Sequence, residues 1–166
     1  SEIIAQDEQA LHRTQELLAE GYIIAIKGLG GFHLACDGQK SPPIARLRNR
    51  KNRPAKPLAV MMPDLETVRK YCLISDEEEM VLSSSERPIL LLRKNENCPL
   101  PENLSPHQNH LGVMLPYTPL HYLLFSRENR FPEAPYDVLV MTSANIRSNP
   151  ILTNNQTVRQ DLKEIT

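Results

Sequence analysis

Short, continuous apolar runs bounded by glycine or proline recur between stretches of helical periodicity, and this alternation most limits the folds open to the chain. Residues 22–26, 58–62, 88–92, 112–115 and 138–141 are such runs. At about four to eight residues each they are too short for helices and read as strands buried on both faces. Phe32, Leu34 and Cys36 alternate with His33 and Ala35, which adds a further strand. Between them, Ala10, Leu11, Thr14, Leu17 and Leu18 repeat at three-to-four spacing and predict a helix over 7–20, ended by Gly21. Pro42 or Pro43 starts another, with Ile44 and Leu47 on its inner face. Asp64 caps a third, with Leu65, Val68 and Cys72 inward, and Ser75 with Glu78 forms a capping box for a fourth through about Ser83. Residues 118–125 put Leu120, Leu123 and Leu124 on one side, and Thr153 or Asn154 caps a final helix carrying Val158, Leu162 and Ile165. Residues 95–109 form a polar loop punctuated by proline. Strands that alternate with helices argue an α/β domain, one sheet covered on both faces, whose ligands gather at strand ends.

Composition narrows the classes. With 166 residues, 40% of them hydrophobic and 23% charged, the chain is long enough for one domain over 1–166 with a single core. The formal net charge of −1 means that an anion site must come from local clustering. No apolar run approaches the roughly 20 residues of a membrane span, and the first residues lack the pattern of a signal peptide, so no membrane partner and a cytoplasmic location are expected. Cys36, Cys72 and Cys98 are far apart with no Cys-x-x-Cys pair, and the histidines lack ligand spacing. Neither a disulfide framework nor a protein-held metal is expected.

The local cluster is plain. Arg46, Arg48, Arg50, Lys51, Arg53 and Lys56 lie between an amphipathic run and an apolar one. Pro54 and Pro57 push Arg53 and Lys56 out of the α region, which predicts an extended segment with Lys51 and Arg53 on one face. Such a pair is a cationic clamp suited to phosphate, although a solvated basic loop has the same composition. Further polar groups leave strands at Lys27, at Arg87 and at Thr142-Ser143-Ala144-Asn145, whose hydroxyls and amide suit phosphate or ribose oxygens and equally suit a turn. Gly28-x-Gly30-Gly31 is not a dinucleotide fingerprint, because His33 takes the third glycine position and a strand follows; a tight hairpin is the simpler reading. His121, beside Leu120 and Leu123, reads as structural. No paired carboxylates stand out for acid and base work.

Five blocks, KGLGGFHLACD, LRNRKNRPAKPLAVM, SSERPILLL, LGVMLPYTPLHYLL and VMTSANIRSNPI, in this order and spacing, resemble the YrdC-like domain of the HypF hydrogenase-maturation carbamoyltransferases over nearly the whole chain. In the wider family, which includes the threonylcarbamoyl-adenylate synthases, a Lys-x-Arg and a Ser-x-Asn sequence mark the nucleotide site. Here these fall on Lys51 and Arg53 and on Ser143 and Asn145. The resemblance implies a twisted, mixed β-sheet flanked by helices, with a concave, positively charged surface. It implies adenylation as well: ATP and carbamate derived from carbamoyl phosphate give carbamoyl-adenylate and pyrophosphate, a step toward the cyanide ligands of nickel–iron hydrogenase. Lys51, Arg53, Ser143 and Asn145 are the expected catalytic residues. Lys27, His33, Arg48, Lys56, Arg87 and Thr142 are the expected binding residues, with Mg2+ riding on the nucleotide.

By the same resemblance the chain is a fragment of a larger protein that includes a carbamoyl-transfer domain and serves an acceptor with a C-terminal cysteine, HypE-like. Where the threonylcarbamoyl enzymes carry Thr-Asp-Thr, this chain has Gly28-Leu29-Gly30, and His33 stands where they have glycine. Threonine is therefore not expected as a substrate, and Lys27 and His33 are the expected grips on carbamate. Two alternatives remain open: a threonylcarbamoyl-adenylate synthase, and a module binding double-stranded RNA through its phosphates. A docking domain whose site is inert alone is a third.

Overall fold

The computed structural model describes residues 5–126, 136–145, 151–154 and 162. In chain order the elements are α1 (Asp7–Ala19), β1 (Ile24–Lys27), β2 (Phe32–Asp37), α2 (Ser41–Lys51), β3 (Val60–Met61), α3 (Leu65–Tyr71), α4 (Asp76–Ser83), β4 (Leu90–Arg93), a 3₁₀ turn (Glu102–Leu104), β5 (His110–Met114), α5 (Pro119–Leu124) and β6 (Leu139–Ser143). The six strands form one sheet in the order β1-β2-β6-β3-β5-β4. It is mixed: β3 runs parallel to β5, and the other four pairings are antiparallel.

Period-two alternation sorts the core into two layers. Leu34, Cys36, Val60, Met62, Val113, Leu115, Val138 and Val140 pack on one face against Ile44 and Leu47 of α2, Val68 and Tyr71 of α3 and Leu82 of α4. Their neighbours Ala35, Met61, Met114, Leu139 and Met141 point the other way, onto Leu11 and Leu18 of α1 and Leu124 of α5. The expected α/β class, with helices on both faces of one mixed sheet, is what the chain adopts.

The local signals hold at the helix starts. Asp64 accepts from the Thr67 amide at 2.7 Å, and Ser75 with Glu78 makes the reciprocal capping box. One expected buried strand is half open. β4 ends the sheet, so although Leu92 is fully buried, Leu91 stays 67% exposed and Ile89, just before the strand, 56%. The helix expected from Thr153 or Asn154 to Ile165 falls on residues 155–161 and 163–166, outside the described residues, while Leu162 itself is buried in the first core layer.

The register decides which loops share an edge. Val140 of β6 stands opposite Val60, Val60 opposite Val113, and Val113 opposite Leu90. The end of β6 at Ser143, the start of β2 at His33, the approach to β3, the start of β5 and the end of β4 therefore lie on one edge of the sheet. Arg87, ahead of β4, enters from the opposite edge.

Candidate functional site: a cationic pair at the end of strand β6

Helix α2 delivers the cations. It begins with proline in its first turn and carries Arg48, Arg50 and Lys51 in its last, where positive charge suits the helix dipole. Asn52 stops it in the left-handed region, φ 49° and ψ 50°, with its N–H returned to Arg48 O and Asn49 O. The extended segment expected through Lys51 is thus corrected. Lys51 is the last helical residue, because the proline restriction acts on Arg53 and Lys56 and reaches no further back. The pairing survives by another route, since the left-handed residue turns the chain so that both side chains meet the end of β6.

Lys51 Nζ donates to Ser143 O at 2.7 Å and to Asn145 O and Asn145 Oδ1, both at 3.1 Å. Ser143 Oγ donates to the same Asn145 Oδ1 at 2.9 Å. Arg53 Nη2 donates to Pro57 O at 2.6 Å, and Nη1 reaches Thr142 Oγ1 only at 3.5 Å. Arg53 Nε is buried with no partner among the described residues. The two motifs of the sequence are therefore one place in space: Lys51, Arg53, Thr142, Ser143 and Asn145 come together. Burial first, and the Arg53 guanidinium second, push the Lys51 ammonium down to about 8.

The glycine segment makes the hairpin expected from its composition. Gly28 N donates to Gly31 O at 2.8 Å, and Lys27 pairs with Phe32 across it. Gly31 has φ +136°, and a Cβ there would come within 2.8 Å of Leu152 O, whose carbonyl accepts from Phe32 N. His33 sits opposite Ser143. Its Nδ1 is buried without a partner among the described residues, its ring fills the space that a Gly28 side chain would take, and burial lowers its pKa. His121 of α5 is 1% exposed, meets the Tyr117 ring edge-on at 4.4 Å, and has its pKa pushed down to about 4 by burial and then by His33. Sequence reading took His121 as structural and missed that His33 acts on its charge, because no pattern in α5 points toward β2.

The remaining expected residues divide. Lys27 is exposed, its ammonium 5.6 Å from the Phe32 ring centre, at the hairpin beside His33. Lys56 lies on the segment after Arg53 with its side chain exposed. Arg48 is corrected: it faces inward, 6% exposed, bonded to main-chain carbonyls. Arg87, with φ 46°, meets Tyr122 Oη of α5 at 3.5 Å from the opposite edge and is not brought to the pair.

The family model of Sua5, YciO and YrdC proteins, described as telomere recombination, matches residues 16–166. Carbamoyltransferase HypF2 of Cupriavidus necator is 45% identical over 168 residues, covering 96% of this chain and 21% of that protein. The chain spans about a fifth of the length of the curated relatives it matches. A full-length HypF solved in a phosphate- and nucleotide-bound form superposes with TM-score 0.89 at 42% identity, over 100% of this chain and 21% of that one. Sua5 of P. abyssi, solved with L-threonine, shares the fold at TM-score 0.77 and 20% identity, over 94% of this chain and 44% of that one.

Proposed function

Since the chain belongs to the Sua5, YciO and YrdC family, we propose that it is the adenylating domain of a HypF-type carbamoyltransferase. It takes ATP and carbamate, itself derived from carbamoyl phosphate, to carbamoyl-adenylate and pyrophosphate. One observation supports this most: Lys51 and Arg53 converge on the β6 turn, Arg53 with donors left over and Lys51 with partners that an anion can replace. Among the described residues Arg53 has a buried Nε without a partner and one bond at the 3.5 Å limit, so its fork has donors for an anion. Lys51 donates only to uncharged oxygens. Phosphate oxygens carry full negative charge where these oxygens carry none, so a triphosphate can compete for the same donors. The nucleotide-bound HypF relative supports the same ligand class.

The chemistry is attack of a carbamate oxygen on the α-phosphorus, with pyrophosphate leaving. No group here must carry a covalent intermediate; the protein positions the reactants and meets developing charge. Lys51 and Arg53 hold the β- and γ-phosphates, while Ser143 and Asn145 orient the α-phosphate. Neutral His33, flanked by Lys27, receives the carbamate. Mg2+ comes with the nucleotide, bound through phosphate oxygens. The Gly28-Leu29-Gly30 tip offers no side-chain hydroxyls, which argues against threonine as a substrate. In the longer proteins the adenylate would pass to a carbamoyl-transfer domain and on to an acceptor protein's C-terminal cysteine.

Calorimetric titration with magnesium ATP tests the site. The wild-type chain is expected to bind, and Lys51→Ala and Arg53→Ala each to weaken binding about ten- to a hundredfold, the loss of one charged hydrogen bond of roughly 1.5–3 kcal/mol. Equal affinity in all three proteins would contradict the assignment.

A further inference from the structure

Arg48 uses its guanidinium in an unusual way. Nε donates to Asn103 O at 2.5 Å and Nη2 to Leu104 O at 3.1 Å. Nη1 points at Arg53 O at 2.9 Å, Lys56 O at 3.1 Å and Pro54 O at 3.3 Å. All five acceptors are main-chain carbonyls, and they belong to two segments: the strap after Lys51 that carries Arg53, and the 3₁₀ turn Glu102–Leu104. The strap contains Pro54 and Pro57, which have no N–H, so it has few donors with which to fasten itself to the sheet. Of the main-chain donors that are left, Arg53 N–H returns to Arg48 O and Leu58 N–H, at the strap's end, to Leu104 O, while one buried side chain gathers three of its carbonyls.

We propose that Arg48 is the positioning residue of the site: it touches no ligand, and by tying the strap to the 3₁₀ turn it sets Arg53 beside Lys51 above Thr142. This rests on the reading of Lys51 and Arg53 as the triphosphate grip. Lysine is no substitute, because three donors radiating from one nitrogen cannot span two segments as a planar five-donor fork does. Arg50, two residues on and exposed, carries the same charge on the same helix end and serves as the control.

The test compares Arg48→Lys, Arg48→Met and Arg48→Ala with Arg50→Gln, titrating each folded chain with magnesium ATP and, separately, with AMP. A displaced strap should weaken ATP about tenfold or more while AMP changes by no more than about twofold, so that the ATP-to-AMP affinity ratio collapses. Millimolar guanidinium added to Arg48→Ala should restore the ratio, ammonium should not, and Arg50→Gln should match wild type. A parallel fall in ATP and AMP affinity, tracking the melting temperature, would make Arg48 a general stabiliser and overturn the inference. So would an unaltered ratio in variants of a wild type that prefers ATP. A wild-type chain that binds neither nucleotide would overturn the reading of the site, and this inference with it.

Discussion

At the scale of single residues the site is a balance between charge and burial. Lys51 is held down to about 8, with burial the larger cause and Arg53 the smaller. The sign of the consequence is fixed: below about pH 8 the free protein already carries the ammonium, and above it a proton must be taken up for a phosphate to be gripped. ATP affinity is therefore expected to be flat from about pH 6.5 to 8 and to fall above that by up to about tenfold per unit, with Lys51→Arg flattening the profile. A profile that stays flat to about pH 9.5 in the wild type would contradict it. His121 works in the opposite direction. Its folded-state pKa of about 4 lies below the ordinary imidazole value of 6.5, so the unfolded chain binds the proton first as pH drops. Stability should decline between those two values, and His121→Phe, which keeps a ring against Tyr117, should soften that part of the decline in a melting-temperature series.

At the scale of elements, two turns fix the geometry. Asn52 in the left-handed region aims the chain after α2. Asn52→Gly should be tolerated, and Asn52→Val should cost about 1–2 kcal/mol in chemical unfolding while disturbing Arg53. Gly31→Ala meets both a positive φ and the Leu152 carbonyl, and should cost more than about 1 kcal/mol. These turns also mark how far the sequence could be read. Caps such as Asp64 with Thr67, or Ser75 with Glu78, were legible because donor and acceptor lie three residues apart. The members of the cationic pair were legible too, but its backbone was not: the prolines govern only the residues before them, and Asn52, a common left-handed helix stop, was the overlooked signal. Arg48 stands four residues after Ile44, so its inward face was legible in the spacing, but its acceptors were not, because Asn103 O and Leu104 O are 55 and 56 residues away. Nor could the openness of β4, since being last in the sheet is a property of the whole topology.

At the scale of the whole molecule, the sheet order brings β2 and β6 side by side and sets the approach to β3 next to them, so residues distant in sequence share one edge. With a net charge of −1, the chain has no broad field to attract a polyanion, and binding strength must come from this edge. Salt should therefore leave the ATP-over-AMP preference intact, whereas a surface binding duplex RNA by its phosphates would lose affinity steeply. The decisive measurement is product analysis after incubating the chain with ATP, magnesium and carbamate, with and without threonine and bicarbonate, alongside Lys51→Ala. Pyrophosphate and a labile carbamoyl-adenylate, formed without threonine and absent from the mutant, is the expected result. Adenylate formation that requires threonine, or that persists in Lys51→Ala, would contradict the proposed function.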